Sequence, residues 1–189
     1  MSDILRDDVS DKLVHLTKGT GLDSAKHRHE AAMVLASILS EQRLIGGTGY
    51  IKGSYRCVCF SEAPIGKLSH ILAAKADSTF KYQPYGVMVS KHWLYSKGGL
   101  PVIYGPDGDY NELPQSMKYR HVRLYLGDYT VDHSWEREWR VSTDSLFITP
   151  EDVTVIVPNR DAKDEFTSNG YEQWHYIALS DLGVQIATL

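Results

Sequence analysis

Cysteine is scarce in this chain, with two among 189 residues, and both stand together as Cys57-Val58-Cys59. A lone Cys-x-Cys lacks the second pair that a structural zinc site needs. Two cysteines also cannot staple a secreted fold, so they read as buried thiols in a reducing compartment. Long apolar runs are missing too: none approaches the ~20 residues of a membrane span. The polar, acidic start over residues 1–10 has no signal-peptide pattern. The expectation is a cytoplasmic protein with no membrane partner. Charge of one sign is lacking as well. A net charge of -4 argues against a general polyanion binder and leaves room only for a local basic groove. No repeat, low-complexity tract or linker divides the chain, so residues 1–189 are expected to form one domain.

Several catalytic signatures are absent. There is no Gly-x-Ser-x-Gly elbow for a serine hydrolase. Gly46-Gly47-Thr48-Gly49 lacks the Lys-Ser/Thr of a P-loop and the spacing of a dinucleotide fingerprint. It reads as a connector that contributes to a pocket rim. His27 and His29 stand two apart on a predicted helix, where they point in different directions and chelate poorly.

What is present is ordinary globular material, 42% hydrophobic and 23% charged, with 12 Tyr and 4 Trp. Helical spacing of Ala31, Val34, Leu35, Ile38 and Leu39 predicts a helix over residues 25–43. Pro64 with Ile65, Leu68, Ile71 and Leu72 predicts a second, and residues 161–168 a third, ended by Asn169-Gly170. Strands are expected over residues 12–17, 55–61, 85–90, 100–104, 119–126, 153–157, 171–179 and 184–187, together with the stretch around Trp139. Early helices among strands, followed by mostly β elements, predict an α+β domain: a split or twisted mixed sheet flanked by helices.

The densest chemistry lies in Asp132-His133-Ser134-Trp135-Glu136-Arg137-Glu138-Trp139-Arg140-Val141. Strand alternation puts Glu136, Glu138 and Arg140 on one face and Trp135, Arg137, Trp139 and Val141 on the other. The tryptophan face suits a core. The charged face must pair its charges or open onto a cleft. A packed strand holds a carboxylate rigidly, which suits stabilisation of an oxocarbenium-like charge in glycosidic-bond chemistry. Asp132, His133, Glu136 and Glu138 also offer a weaker set for a divalent cation, as in a metal-dependent nuclease. His15 with Thr17, Arg56 or Ser61, and Glu138 with Glu136 stand on separate predicted strands that a sheet can bring together.

The ordered set Leu13-Val14-His15-Leu16-Thr17, Cys57-Val58-Cys59-Phe60-Ser61-Glu62-Ala63-Pro64-Ile65, Tyr85 to Lys91, Pro101-Val102-Ile103-Tyr104 and Trp135 to Arg140 resembles the AbiGi-type abortive-infection families. It resembles more distantly the DarT-like ADP-ribosyltransferase toxins of bacterial phage defence. The likeness spans most of residues 13–158. It implies an ADP-ribosyltransferase-like fold with an NAD cleft between the halves of its sheet. The slot for binding the adenosine-side ribose falls on His15, with Leu16 and Thr17 beside it. Phe60 and Ser61 fall at the end of the second core strand, with Ser61 as the hydrogen-bonding group. Glu138 takes the catalytic position, Glu136 the acceptor-side base, and Arg56 a contact to the pyrophosphate or acceptor. The resemblance also implies an acceptor macromolecule, RNA or DNA ahead of protein, and a neutralising antitoxin partner. It names no ring-stacking tyrosine. Two other functions remain on this reading: a non-catalytic module of the same shape that binds a nucleotide or a toxin, and the metal-dependent nuclease.

Overall fold

The computed structural model describes residues 10–19, 24–62, 64, 72, 75–76, 79–80 and 82–184. The expected helix from residue 65 onward and the expected strand over residues 184–187 lie almost wholly outside them.

A seven-stranded mixed sheet carries the molecule: β1 (Lys12–Leu16), β2 (Cys57–Ser61), β3 (Gly86–Ser90), β4 (Leu100–Pro101), β5 (Glu138–Ser142), β6 (Val153–Val157) and β7 (His175–Ala178), in the order β7-β6-β3-β1-β2-β5-β4. Only β6 and β7 run parallel. The strands form where the sequence alternates. Leu13, Val58, Phe60, Val87, Val89, Trp139, Val141, Val155 and Val157 enter one cluster, while Val14, Leu16 and Ile156 enter a second with Leu179.

The first cluster is covered by α1 (Ser24–Glu41), which buries Ala31, Leu35, Ile38 and Leu39. Burying each Leu or Ile is worth about 1.5–3 kcal/mol. Val34, expected on that stripe, is 44% exposed. A six-residue helix, α2 (Lys91–Ser96), follows β3 directly and was not anticipated; the Ser90 hydroxyl caps it by accepting from Trp93 N. In α3 (Arg160–Phe166) the cap is Asn159, which accepts from Ala162 N at 2.9 Å. The chain is therefore a mixed α+β fold with a large sheet flanked by helices.

Pairing along the sheet is uneven. β1 and β3 are joined through five residue pairs, and β2 and β5 through five more. Between β1 and β2 there is a single pair, Val14 with Ser61. The sheet thus consists of two well-knit halves that part just beyond that pair. Gly86 sits opposite Leu16, where a Cβ would lie 2.1 Å from the His15 carbonyl oxygen.

Two expectations need correction. The stretch from Trp135 is not one strand: Ser134–Glu136 is a 3-10 turn, and Arg137 adopts φ 46, ψ 51 before β5 begins at Glu138. Trp135 is consequently 43% exposed rather than packed. Gly46 and Gly47 do not line the cleft described below. Gly46 N donates to Asp144 O, Gly47 bridges Cys57, and a Cβ on Gly46 would meet the Thr143 oxygen at 2.0 Å. They close the ribbon that pairs Arg43–Ile45 with Ser145–Phe147.

Candidate active site

Where β1 and β2 part, the opening becomes a cleft of about 560 Å³, counting its open mouth. Its walls come from both halves of the sheet: Val14, His15, Leu16 and Lys18 on one side, Cys59, Phe60 and Ser61 on the other. Glu136, Glu138 and Tyr82 complete it.

His15 stands in for the missing ladder. Its Nδ1 lies 2.8 Å from the Cys59 carbonyl oxygen. A carbonyl only accepts, so this ring nitrogen carries the hydrogen and Nε2 is left as an acceptor. Burial holds the imidazole pKa below its ordinary 6.5, against the pull of the backbone bond and with help from the Lys18 charge. The ring is therefore neutral at pH 7. Phe60 packs beside it at 5.6 Å between ring centroids.

Glu138 is placed by register, because β5 pairs it directly with Ser61. Its two oxygens receive Arg140 Nε at 2.9 Å and Arg140 Nη2 at 3.0 Å. Burial alone would lower the Arg140 pKa, but the hydrogen bonds and charge of Glu138 raise it above the ordinary range. The charged face is thus paired, and one end of it opens onto the cleft. Glu138 N donates to the Tyr104 hydroxyl at 3.2 Å, and that hydroxyl donates to His133 O at 3.3 Å.

Glu136 reaches the cleft by a different route, from the end of the 3-10 turn. Its backbone carbonyl accepts from Ser61 Oγ at 2.6 Å, and its Oε2 accepts from the Tyr82 hydroxyl at 3.3 Å. His133 Nδ1 lies 4.0 Å from Oε1. The left-handed Arg137 makes this approach, since it turns the chain between the two carboxylates. Beneath the site, Glu62 accepts from the Trp139 indole at 2.8 Å and from Lys91 Nζ at 2.8 Å, which locks the end of β2 to β5 and α2.

The other polar groups in the cleft are held neutral. Burial, then the Glu138 carboxylate, pushes the Cys59 thiol far up, so it is not an activated nucleophile. Burial and the charges of Glu136 and Glu138 do the same to the Tyr82 phenol. Lys18 Nζ sits 5.0 Å above the Tyr82 ring. Ser61 spends its hydroxyl on a carbonyl, not on a histidine base. What the cleft offers is two carboxylates, a neutral imidazole and a cation at its mouth.

The chain matches no family model, no curated protein and no solved structure. The site rests on its own geometry.

Of the residues singled out from sequence, His15, Leu16, Phe60, Ser61, Glu136 and Glu138 come together on this cleft. Thr17 and Arg56 do not. Thr17 is buried, its hydroxyl 3.0 Å from Ala31 O and 3.1 Å from Tyr85 O, tying β1 to α1 and to the start of β3. Arg56 precedes the opposite end of β2 from Ser61 and pairs with Asp144 at 3.0 Å. Among the described residues no three of His, Cys, Asp and Glu gather as a metal site; Asp132 instead accepts from Ser134 N at 2.8 Å. Tyr82 and Lys18 were missed, because neither stands in a periodic pattern, and Tyr104 was named in the ordered set without a role. Arg140 was visible beside Glu138, but its depth, 3% exposed, was not.

Proposed function

We propose that this chain is an NAD-dependent ADP-ribosyltransferase, an effector of the kind used in phage defence. The observation that carries the reading is the convergence of His15, Ser61, Glu136 and Glu138 on the cleft between the two halves of the sheet. These are four of the residues that the resemblance implies, in the place it implies; Thr17 and Arg56 stand apart from them.

NAD supplies the ADP-ribosyl group by losing nicotinamide through a transition state with positive charge on the ribose. The residues fit such a substrate. His15 Nε2, an acceptor, suits a ribose hydroxyl, and Lys18 brings positive charge to the mouth for a diphosphate. Glu138 opposes developing positive charge from a fixed position, where preorganised electrostatics act most strongly. Its oxygens keep lone pairs beyond those taken by Arg140, so it can also accept from a hydroxyl. Glu136, which accepts from the Tyr82 hydroxyl, is placed to take a proton from an acceptor nucleophile. Ser61 holds the Glu136 backbone, which sets the spacing of the two carboxylates.

The acceptor on this reading is a nucleic acid. Support comes from the segment leading into Glu136: Arg123 lies 5.6 Å from the Tyr125 ring and 5.5 Å from the Tyr129 ring, a stacking surface interleaved with charge. A second reading is binding without turnover. One observation favours it: both Glu138 oxygens are already engaged by Arg140.

One experiment separates the two. Purified protein is incubated with adenylate-labelled NAD and separate pools of RNA, DNA and cell protein, with Glu138→Gln alongside. Label should enter a nucleic-acid pool, and the folded variant should lose at least ~100-fold of that activity. NAD turnover at the wild-type rate in Glu138→Gln would remove the assignment. Tight NAD binding with no nicotinamide release would establish the binding module, and free ADP-ribose alone would mark a glycohydrolase.

A further inference from the structure

Arg140 is the only arginine or lysine that is fully buried among the described residues, at 3% exposure. It lies on β5 two residues past Glu138, pointing to the same face of the sheet. Its fork is engaged on both sides. Nε and Nη2 donate to the two Glu138 oxygens at 2.9 and 3.0 Å. Nη1 donates to Tyr119 O at 2.7 Å and to His121 O at 3.2 Å. Those carbonyls belong to the 3-10 turn Gln115–Arg120 and the short strand His121–Arg123, a different part of the chain from β5.

A buried ion pair is a weak source of stability, and apolar residues of similar volume often replace one without loss. Holding a guanidinium out of water at this position is therefore poorly explained by folding alone. Its geometry explains it better. A bidentate fork fixes the plane of a carboxylate, which a point charge cannot do. The fork itself is fixed from behind by backbone carbonyls that cannot rotate away.

Resting on the ADP-ribosyltransferase reading for its chemical meaning, we infer that Arg140 is a positioning residue for the reaction. It sets the plane of the Glu138 carboxylate from the backbone of residues 119–121, leaving the unshared lone pairs of that carboxylate for the cleft. Arg140 touches no substrate itself. It acts through Glu138.

The groups that face Glu138 from neighbouring elements are the Cys59 thiol of β2, the Tyr82 and Tyr104 phenols and the Glu136 carboxylate. None of these is a cation; Lys18 is the cation that lines the same cleft. Removing the guanidinium takes away the two donors that fix the plane of the carboxylate. A lysine in its place keeps the charge and loses the fork.

The test uses Arg140→Lys and Arg140→Met, with Glu138→Gln as the reference for a missing carboxylate. Three quantities are read: kcat and KM for NAD, the orientation of the Glu138 carboxylate in crystals of each folded variant, and the melting temperature. In Arg140→Met the carboxylate should leave the plane it holds in the wild type, and kcat should fall toward that of Glu138→Gln. Arg140→Lys should turn the carboxylate too and lose on the order of 10–100-fold in kcat, while KM for NAD changes by less than about 3-fold. Wild-type kcat in Arg140→Lys, with Glu138→Gln inactive, would overturn the positioning role and leave the functional reading intact. A fall in kcat with the carboxylate unmoved would mark a merely structural residue. The functional reading falls separately, if the wild type releases no nicotinamide. The carboxylate orientation still decides the geometry in that case, since an unmoved carboxylate in Arg140→Lys overturns the inference without any turnover. Should Arg140→Met not fold, Arg140→Lys decides alone.

Discussion

His15 links the site to the stability of the fold through a single proton. Its pKa is held below 6.5 by burial, so below that pH the unfolded chain binds more protons at this position than the folded chain does. Its contribution is complete above about pH 6.5, is lost as the pH falls toward the folded-state value, and levels off beneath it. Asp107, Asp128, Asp132 and Glu151 act in the same direction, each held below its ordinary value first of all by a hydrogen bond, from Lys52, Tyr125, Ser134 and Thr149 in turn. Their windows open only below 3.8 for the aspartates and 4.5 for Glu151. Thermal melts between about pH 7.5 and 5 therefore keep those four carboxylates out of the comparison, and a His15 variant reads the histidine itself. The wild type should lose melting temperature across that range, and His15→Gln should lose markedly less. Equal losses in the two proteins would place the titrating group elsewhere.

The cleft depends on how closely β1 and β3 approach, and Gly86 sets that approach. A methyl group there would press on the backbone of His15, at 2.1 Å from its oxygen and 3.0 Å from its carbon. Backbone cannot swing aside like the end of a long side chain. Gly86→Ala should therefore destabilise the fold by about 1–3 kcal/mol, the usual cost of overpacking, and should displace the strand that carries His15. Chemical denaturation reads the first effect. The second should appear as a rise in KM for NAD greater than that caused by an equally destabilising change far from the cleft, such as loss of the Asn159 cap. The same elements show what was legible beforehand. Strands β1, β2, β3 and β6 were readable because each is a five-residue run rich in apolar residues that are buried on both faces of the sheet. The ribbon of residues 43–45 and 145–147 was not, since three residues carry no period. The chain around Glu136 misled because its alternation is genuine in the letters and broken in space. Arg137 takes a left-handed conformation that a sequence pattern does not encode, and this turn, not the pleat, brings the second carboxylate to the first. The gathering of His15, Ser61 and Glu138 was anticipated through ordered resemblance. The parting of β1 from β2, which makes room between them, emerged only from the register.

At the scale of the whole molecule, a net charge of -4 works against a nucleic-acid acceptor at long range. Contact must then come from a local surface, and one lies in the segment that leads into the site residues. The hairpin that pairs Tyr125–Leu126 with Thr130–Val131 precedes His133 and Glu136 in the chain. Its Tyr125 and Tyr129 rings lie 4.6 Å apart, and Tyr129 is 52% exposed. Arg123 covers both rings and donates to the Tyr129 hydroxyl. Nearby, Lys52 and Lys118 stand 4.7 and 4.8 Å from the Tyr110 ring. Asp107 takes up part of this charge by pairing with Lys52 and Arg123, so stacking has to supply more of the affinity than phosphate contacts do. Each stacked base is worth about 1–3 kcal/mol. Replacing both Tyr125 and Tyr129 with alanine should then lower label transfer to single-stranded nucleic acid roughly 30-fold or more, while nicotinamide release in the absence of acceptor stays unchanged. Binding of a single-stranded oligonucleotide should also weaken only shallowly with added salt, because few counterions are released. Undiminished transfer in the double variant would move the acceptor surface elsewhere. A parallel fall in nicotinamide release would mean that the hairpin supports the cleft itself, and a steep salt dependence would return the leading part to the lysines and arginines.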